Sequence, residues 1–223
     1  MKKNVIIISA HPDDETLGAG GTLLKHKSKG DKLFWIIGTE MGLSKSYSMD
    51  QIKSRNSEIE KVAKFYGFEK IFRLNFETSK LDSSSLIKLV PLISEIFKEV
   101  EPNIIYNLNL NDAHSDHRIL SEAVIANTKA FRHPYINKVL MYECISETEF
   151  SAQLPERIFI PNYFVDITSF LDDKLKIMEI YKSEIDVHPF PRSIENIKAL
   201  SIYRGATANV KYAEAFQVVK ILI

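Results

Sequence analysis

Cysteine occurs once in the 223 residues, at Cys144. That excludes an intrachain disulfide and any Cys-rich metal knuckle, and it suits a reducing compartment. An excess of one charge is also missing: 29 Lys plus Arg stand against 29 Asp plus Glu. With no global field to draw nucleic acid or an anionic membrane surface, the expected partners are small molecules or other proteins. No apolar run reaches the roughly 18 residues that span a bilayer. The opening "MKKNVIIIS" imitates a signal peptide, but its apolar stretch is too short and runs directly into "HPDDE". The expectation is a cytoplasmic protein without membrane insertion.

What the chain does have is alternation. Apolar, β-branched or aromatic segments at 4–9, 32–38, 70–75, 103–108 and 138–143 read as strands, and amphipathic stretches at 17–29, 50–66, 84–100 and 117–130 read as helices between them. This order predicts an α/β fold: a Rossmann-like, doubly wound, mostly parallel sheet, in one domain over 1–223. Beyond about residue 145 the pattern weakens to "VDIT" at 165–168, a helix at 169–182, a "HPFPRS" loop at 188–193 and a helix at 193–204. This tail reads as a small C-terminal cap.

In the common strand order 3-2-1-4-5, the first and fourth strands meet at the crevice where ligands bind. Both of those strands end in unusual chemistry, "AHPDDE" after the first and "NLNLNDAHSDH" after the fourth. Alone, the aspartates of "HPDDE" read as a helix cap, and "HSDH" as a solvated loop opening a helix. Brought to one crevice, they read as a metal site. A catalytic zinc takes about three His or carboxylate ligands and keeps a position open for water. His11, Asp14 and His117 meet that count, and the same donors suit iron(II), Fe2+, or another divalent metal. Asp13, next to a ligand but off the metal, is a candidate general base. His114 is a candidate acid or oxyanion stabiliser, and Asp116 could orient one of the imidazoles. Glu15 receives no firm role. His26, His133 and His188 read as surface or structural residues.

The glycines of "LGAGG" invite comparison with a dinucleotide-binding loop. That fingerprint needs a third glycine where Leu23 stands, and an acid-rich loop would repel phosphate. Gly18, Gly20 and Gly21 therefore read as close-packing positions.

"AHPDDE", "HSDH" and the intervening "GAGGTLLKHKSKGDKL" resemble the LmbE-like, or PIG-L, zinc-dependent N-deacetylases, and the likeness covers most of the chain. "RNSEIEKVAKFYG" at 55–67 is similar to that family's Arg-x-x-Glu helix ending in glycine. The resemblance implies a Rossmann-like fold and hydrolysis of an N-acetyl group on an amino sugar or its conjugate. It makes His11, Asp14 and His117 ligands of Zn2+, Asp13 the base, His114 the acid or electrostatic stabiliser, and Arg55 a substrate contact. An Arg55 to Glu58 helix pair is the plain alternative. Arg192 and Arg204 are candidate sugar or phosphate contacts without a matched motif role. The segment "YKSEIDVHPFPRS" departs from the family's His-x-x-Gln pattern, which leaves its part in substrate choice open. Specificity is expected in loops near 40–50, 145–162 and 183–193, and the resemblance is compatible with a homo-oligomer. A metal-dependent hydrolase of a non-sugar amide or phosphoester, or a non-catalytic Rossmann-like binding protein, are the competing readings.

Overall fold

The computed structural model describes residues 2–152 and 154–223. Its centre is β1 (Asn4–Ser9), in which Val5, Ile6, Ile7 and Ile8 are wholly buried, as a strand covered on both faces requires. β1 pairs in parallel with β2 (Lys32–Glu40) on one side and with β4 (Ile104–Leu108) on the other. β3 (Lys70–Glu77) extends the sheet beyond β2, and β5 (Lys138–Tyr142) extends it beyond β4, both in parallel. The expected 3-2-1-4-5 order is therefore present, and the chain reverses its winding between β1 and β4.

The connecting helices are α1 (Asp14–Ser28), α2 (Met49–Tyr66), α3 (Leu86–Val100) and α4 (Ser115–Ala126). Two, α1 and α4, begin two or three residues earlier than their apolar patterns indicate. The Asp13 carbonyl accepts the Thr16 and Leu17 amides at 3.0 and 2.9 Å, so α1 starts inside the acidic motif. His114 caps α4 by accepting the Asp116 amide on Nδ1 at 3.1 Å. Both motifs thus lie at helix N-termini at the carboxyl ends of neighbouring strands.

The tail differs from expectation. α5 (Leu171–Met178) and α6 (Ile194–Thr207) form the cap, both placed within a residue or two of where their helices were expected to begin. The residues after them, read as more of the cap, are instead a nine-residue strand, β7 (Ala213–Ile221). It runs antiparallel to β5, and β6 (Tyr163–Asp166) runs antiparallel on its outer side, giving a seven-stranded sheet ordered β3-β2-β1-β4-β5-β7-β6.

β7 also repairs a break in α1, where Ala19 leaves helical geometry at φ −140°. The Gly21 and Thr22 amides freed by that break donate to the Glu214 carboxylate at 2.8 and 2.7 Å. Lys174 neutralises Glu214 at 2.7 Å and donates to the Leu17 carbonyl at 2.9 Å. A buried ion pair is favourable when hydrogen bonds satisfy it in this way. The glycines here are packing residues, as expected: a Cβ on Gly18 would stand 2.1 Å from Tyr142 Cδ2, and one on Gly21 would stand 2.7 Å from Ile167 Cβ.

Candidate active site

The two motifs face each other across the β1–β4 crevice. His11, Asp14 and His117 each offer a donor atom, and these atoms lie within 4.8 Å of one another. Each side chain is already oriented by a second contact. Asp14 Oδ2 accepts the Ala10 and His11 amides, both at 2.9 Å, which directs Oδ1 toward His117 Nε2 at 3.3 Å. His117 Nδ1 is 2.9 Å from Asp112 Oδ2. His11 Nε2 is 3.1 Å from Asp116 Oδ2. A carboxylate only accepts, so each imidazole donates through that nitrogen and leaves its other nitrogen as the candidate ligand atom.

The arrangement fits a metal. His117 Nε2 is buried with no hydrogen-bond partner, since Asp14 Oδ1 is close but not aligned for one. A buried nitrogen left in that state is costly unless something else binds it. Burial opposes a charge on His117, yet the Asp14 and Asp112 carboxylates outweigh it and push the imidazole well above its ordinary value. Burial likewise works against the Asp14 carboxylate, but His117 and His11 hold it well below the usual range. The pocket therefore draws in positive charge.

Asp116, His11 and His114 also come close enough to hold an ion. The Asp116 carboxylate is otherwise committed, however, accepting the Ser79 and Leu81 amides at 2.7 and 3.0 Å as well as His11. Its side chain contacts the His11 imidazole. Asp112 does the same for His117 and is fixed by Thr148 Oγ1 at 2.7 Å and Asn109 Nδ2 at 3.1 Å.

Asp13 and His114 line the same cleft. Burial, with Asp14 and Glu184 nearby, raises the Asp13 carboxyl well above its ordinary value. Burial beside His11 and His117 lowers His114 to about 4. Because His114 Nδ1 accepts the Asp116 amide, the neutral ring carries its proton on Nε2. The three expected loops all reach the cleft, through Met41 and Tyr47, Ser146 and Glu147, and Glu184 and Arg192.

Residues 6–128, which carry both motifs, match the family described as PIG-L, GlcNAc-PI de-N-acetylase. The chain belongs to the PIG-L family. A diacetylchitobiose deacetylase of Thermococcus kodakarensis is 25% identical to it over 97% of this chain and 83% of its own length. A probable N-acetyl-alpha-D-glucosaminyl L-malate deacetylase 2 of Bacillus cereus is 24% identical over 83% of this chain and 86% of its own. The N,N'-diacetylchitobiose deacetylase structure from Pyrococcus horikoshii has the same fold, with a TM-score of 0.76 at 22% identity, over 97% of this chain and 84% of that one.

The three arginines of this PIG-L chain expected at the substrate are each engaged by protein groups. Arg55 is 5% exposed, and its guanidinium bonds the Pro12 carbonyl, Ser183 Oγ and Glu184. The Glu58 helix pair is present too, at 3.4 Å. Arg192 lies in the cleft, held by Ser146 Oγ at 2.7 Å and the Glu184 carbonyl at 2.8 Å. Arg204 makes a two-point pair with Glu143 at 2.8 and 2.6 Å and does not line the cleft. Glu184, which bridges Arg55 and Arg192, was not singled out from the sequence; it lies within the segment that departs from the family pattern.

His26 is structural, between Asp31 and Tyr106, as is His133 beside Tyr135, and His188 is exposed. The Glu15 carboxyl is buried, pushed up to about 7 by desolvation, and bonded to Thr16 and Tyr181. Among the described residues no helix is long and apolar enough to cross a membrane.

Proposed function

We propose that residues 1–223 form a single-domain, metal-dependent hydrolase that removes the acetyl group from the N-acetyl amine of an amino sugar or its conjugate. The observation that carries the reading is the buried His117 Nε2, without an aligned hydrogen-bond partner and 3.3 Å from Asp14 Oδ1, with His11 completing the donor set. His11, Asp14 and His117 hold the ion, with zinc favoured by two imidazoles and one carboxylate and iron(II) served by the same donors. When bound, such an ion polarises an amide carbonyl and brings the pKa of water down to roughly 7. The relatives' names, both deacetylases of N-acetylated sugars, support the substrate class.

Within the site, Asp13 takes a proton from the attacking water as the new carbon–oxygen bond forms. His114, neutral with its proton on Nε2, donates a hydrogen bond to the oxyanion that develops on the former carbonyl. The carbon–nitrogen bond then breaks, and the amine leaves with the proton that Asp13 returns. The products are one acetate and one free amine per water consumed. The donor left open by the sequence is assigned to Asp13, because a His114 with Nδ1 engaged by the Asp116 amide is a hydrogen-bond donor and not a carrier of an extra proton. Arg192, at the cleft wall and more exposed than Arg55, is the best placed of the three expected substrate contacts. The cytoplasmic setting expected from the composition belongs to this same proposal.

The test is acetate release by metal-loaded protein from free, nucleotide-linked and lipid-linked N-acetylhexosamines. Equimolar acetate and amine from at least one of them, abolished by a chelator, is the expected result. Phosphate release from phosphoesters with no acetate from any sugar would replace the reading.

A further inference from the structure

Asp13 has φ 145° and ψ −32°, outside the regions that residues with a Cβ ordinarily occupy. Such a conformation persists only where the surroundings determine it. Two side chains do so here. The Pro12 carbonyl accepts from Arg55 Nη1 at 2.6 Å, and the Asp13 N–H donates to Glu15 Oε2 at 3.0 Å. That carbonyl and that N–H belong to one planar peptide unit. Gripping both ends fixes the plane, and φ of Asp13 is the rotation about its N–Cα bond that sets the following carbonyl carbon relative to that plane. The peptide on the other side of Asp13 is fixed as well, by the Thr16 and Leu17 amides.

We propose that Arg55 and Glu15 are positioning residues that clamp the Pro12–Asp13 peptide and thereby aim the Asp13 carboxylate into the cleft. One segment braces both arms of the clamp. Tyr181 donates to Glu15 Oε1 at 2.8 Å, while Ser183 and Glu184 hold the Arg55 guanidinium, which also lies 5.5 Å from the centre of the Tyr181 ring. Glu15, which the sequence left without a role, acquires one, and Arg55 acquires a role within the chain. The stretch following α5 then serves to set the geometry of the β1 loop. The proposal builds on the assignment of Asp13 as the base.

Two readouts test it, one of them independent of the substrate. Crystal structures of Glu15→Met and Arg55→Leu are expected to show Asp13 relaxed out of the positive-φ region, and Glu15→Gln, which keeps an acceptor oxygen, to retain it. Arg55→Lys keeps a cation beside Glu58 and Glu184 without the fork that reaches two partners, and it replaces Arg55→Leu if that variant does not fold. With N,N'-diacetylchitobiose as probe, Glu15→Met and the Arg55 variants are expected to lose about 100-fold in kcat, the scale of a slight misplacement of a reacting group. KM and zinc content should stay near wild type, and Glu15→Gln should recover most of the kcat. Asp13 unmoved with kcat unchanged would overturn the clamp, as would Arg55 variants that raise KM alone, the mark of a substrate contact. If the wild-type protein releases no acetate from N-acetylated sugars, the deacetylase reading fails, while the crystal structures still decide the clamp.

Discussion

His117 Nδ1 donates to Asp112 Oδ2 at 2.9 Å, and the bond leaves the opposite ring nitrogen facing Asp14. The orientation of the imidazole proposed to bind the metal is therefore built in by a carboxylate five residues earlier in the chain. Partners of this kind typically contribute 10- to 100-fold to metal affinity. Asp112→Ala should weaken zinc binding by about that much in a folded protein, read by titration of the metal-free form. Affinity equal to wild type would show that Asp112 is not what orients His117.

Asp13 lies beside the donor set without belonging to it. Asp13→Ala is expected to lower turnover about 100-fold or more, as loss of a general base does, with metal content near wild type. Turnover and metal analysis on the same preparation check both halves. Unchanged turnover would remove Asp13 from the base role.

Neutral His26 provides a pH-dependent contribution to stability far from the cleft. Burial holds its pKa below the ordinary 6.5, although Asp31 acts in the opposite sense. As pH falls below that value the unfolded chain takes up a proton that the folded chain resists, so the folded state loses stability toward acid. His26→Gln loses the bonds to Asp31 and Tyr106, at about 1 kcal/mol for a typical hydrogen bond, and should be less stable than wild type at pH near 7.5. The gap should narrow between about pH 7 and pH 5, because only the wild type carries the His26 penalty. Asp31, also held below its ordinary 3.8, affects stability only in more acid solution. Urea midpoints at the two ends of the range measure the difference, and a gap that widens toward acid would contradict the account.

Gly18 packs against the ring of Tyr142, whose hydroxyl donates to the Ile8 carbonyl at 2.6 Å. Gly18→Ala puts a methyl where ring carbons already stand, and overpacking of this kind costs about 1–3 kcal/mol. Lower denaturant midpoints should accompany it. A variant as stable as wild type would mean that the α1 backbone yields there easily.

Much of this was legible in the chain because the signals were local. An unbroken apolar β1 ending in "HPDDE", and "HSDH" after a second buried strand, carry both the strand order and the donor set in short stretches. β7 was not legible, since "AEAF" places the charged Glu214 in a buried strand, and only the broken α1 and Lys174 explain why that carboxylate belongs there. Glu184 gave no sign of its role either. Its meaning comes from Arg55, 129 residues away in sequence. The motif conveyed the type of residue at Arg55, whereas its partners Pro12, Ser183 and Glu184 come only from the fold.

The proposed activity requires one ion held by side chains from the ends of β1 and β4. The most direct measurement is calorimetric titration of the metal-free protein with zinc, alongside His117→Ala. One ion bound per wild-type chain, with binding lost or severely weakened in the variant, is the predicted result. A wild-type chain that binds no ion, or a His117→Ala chain that binds it as tightly, would contradict the account.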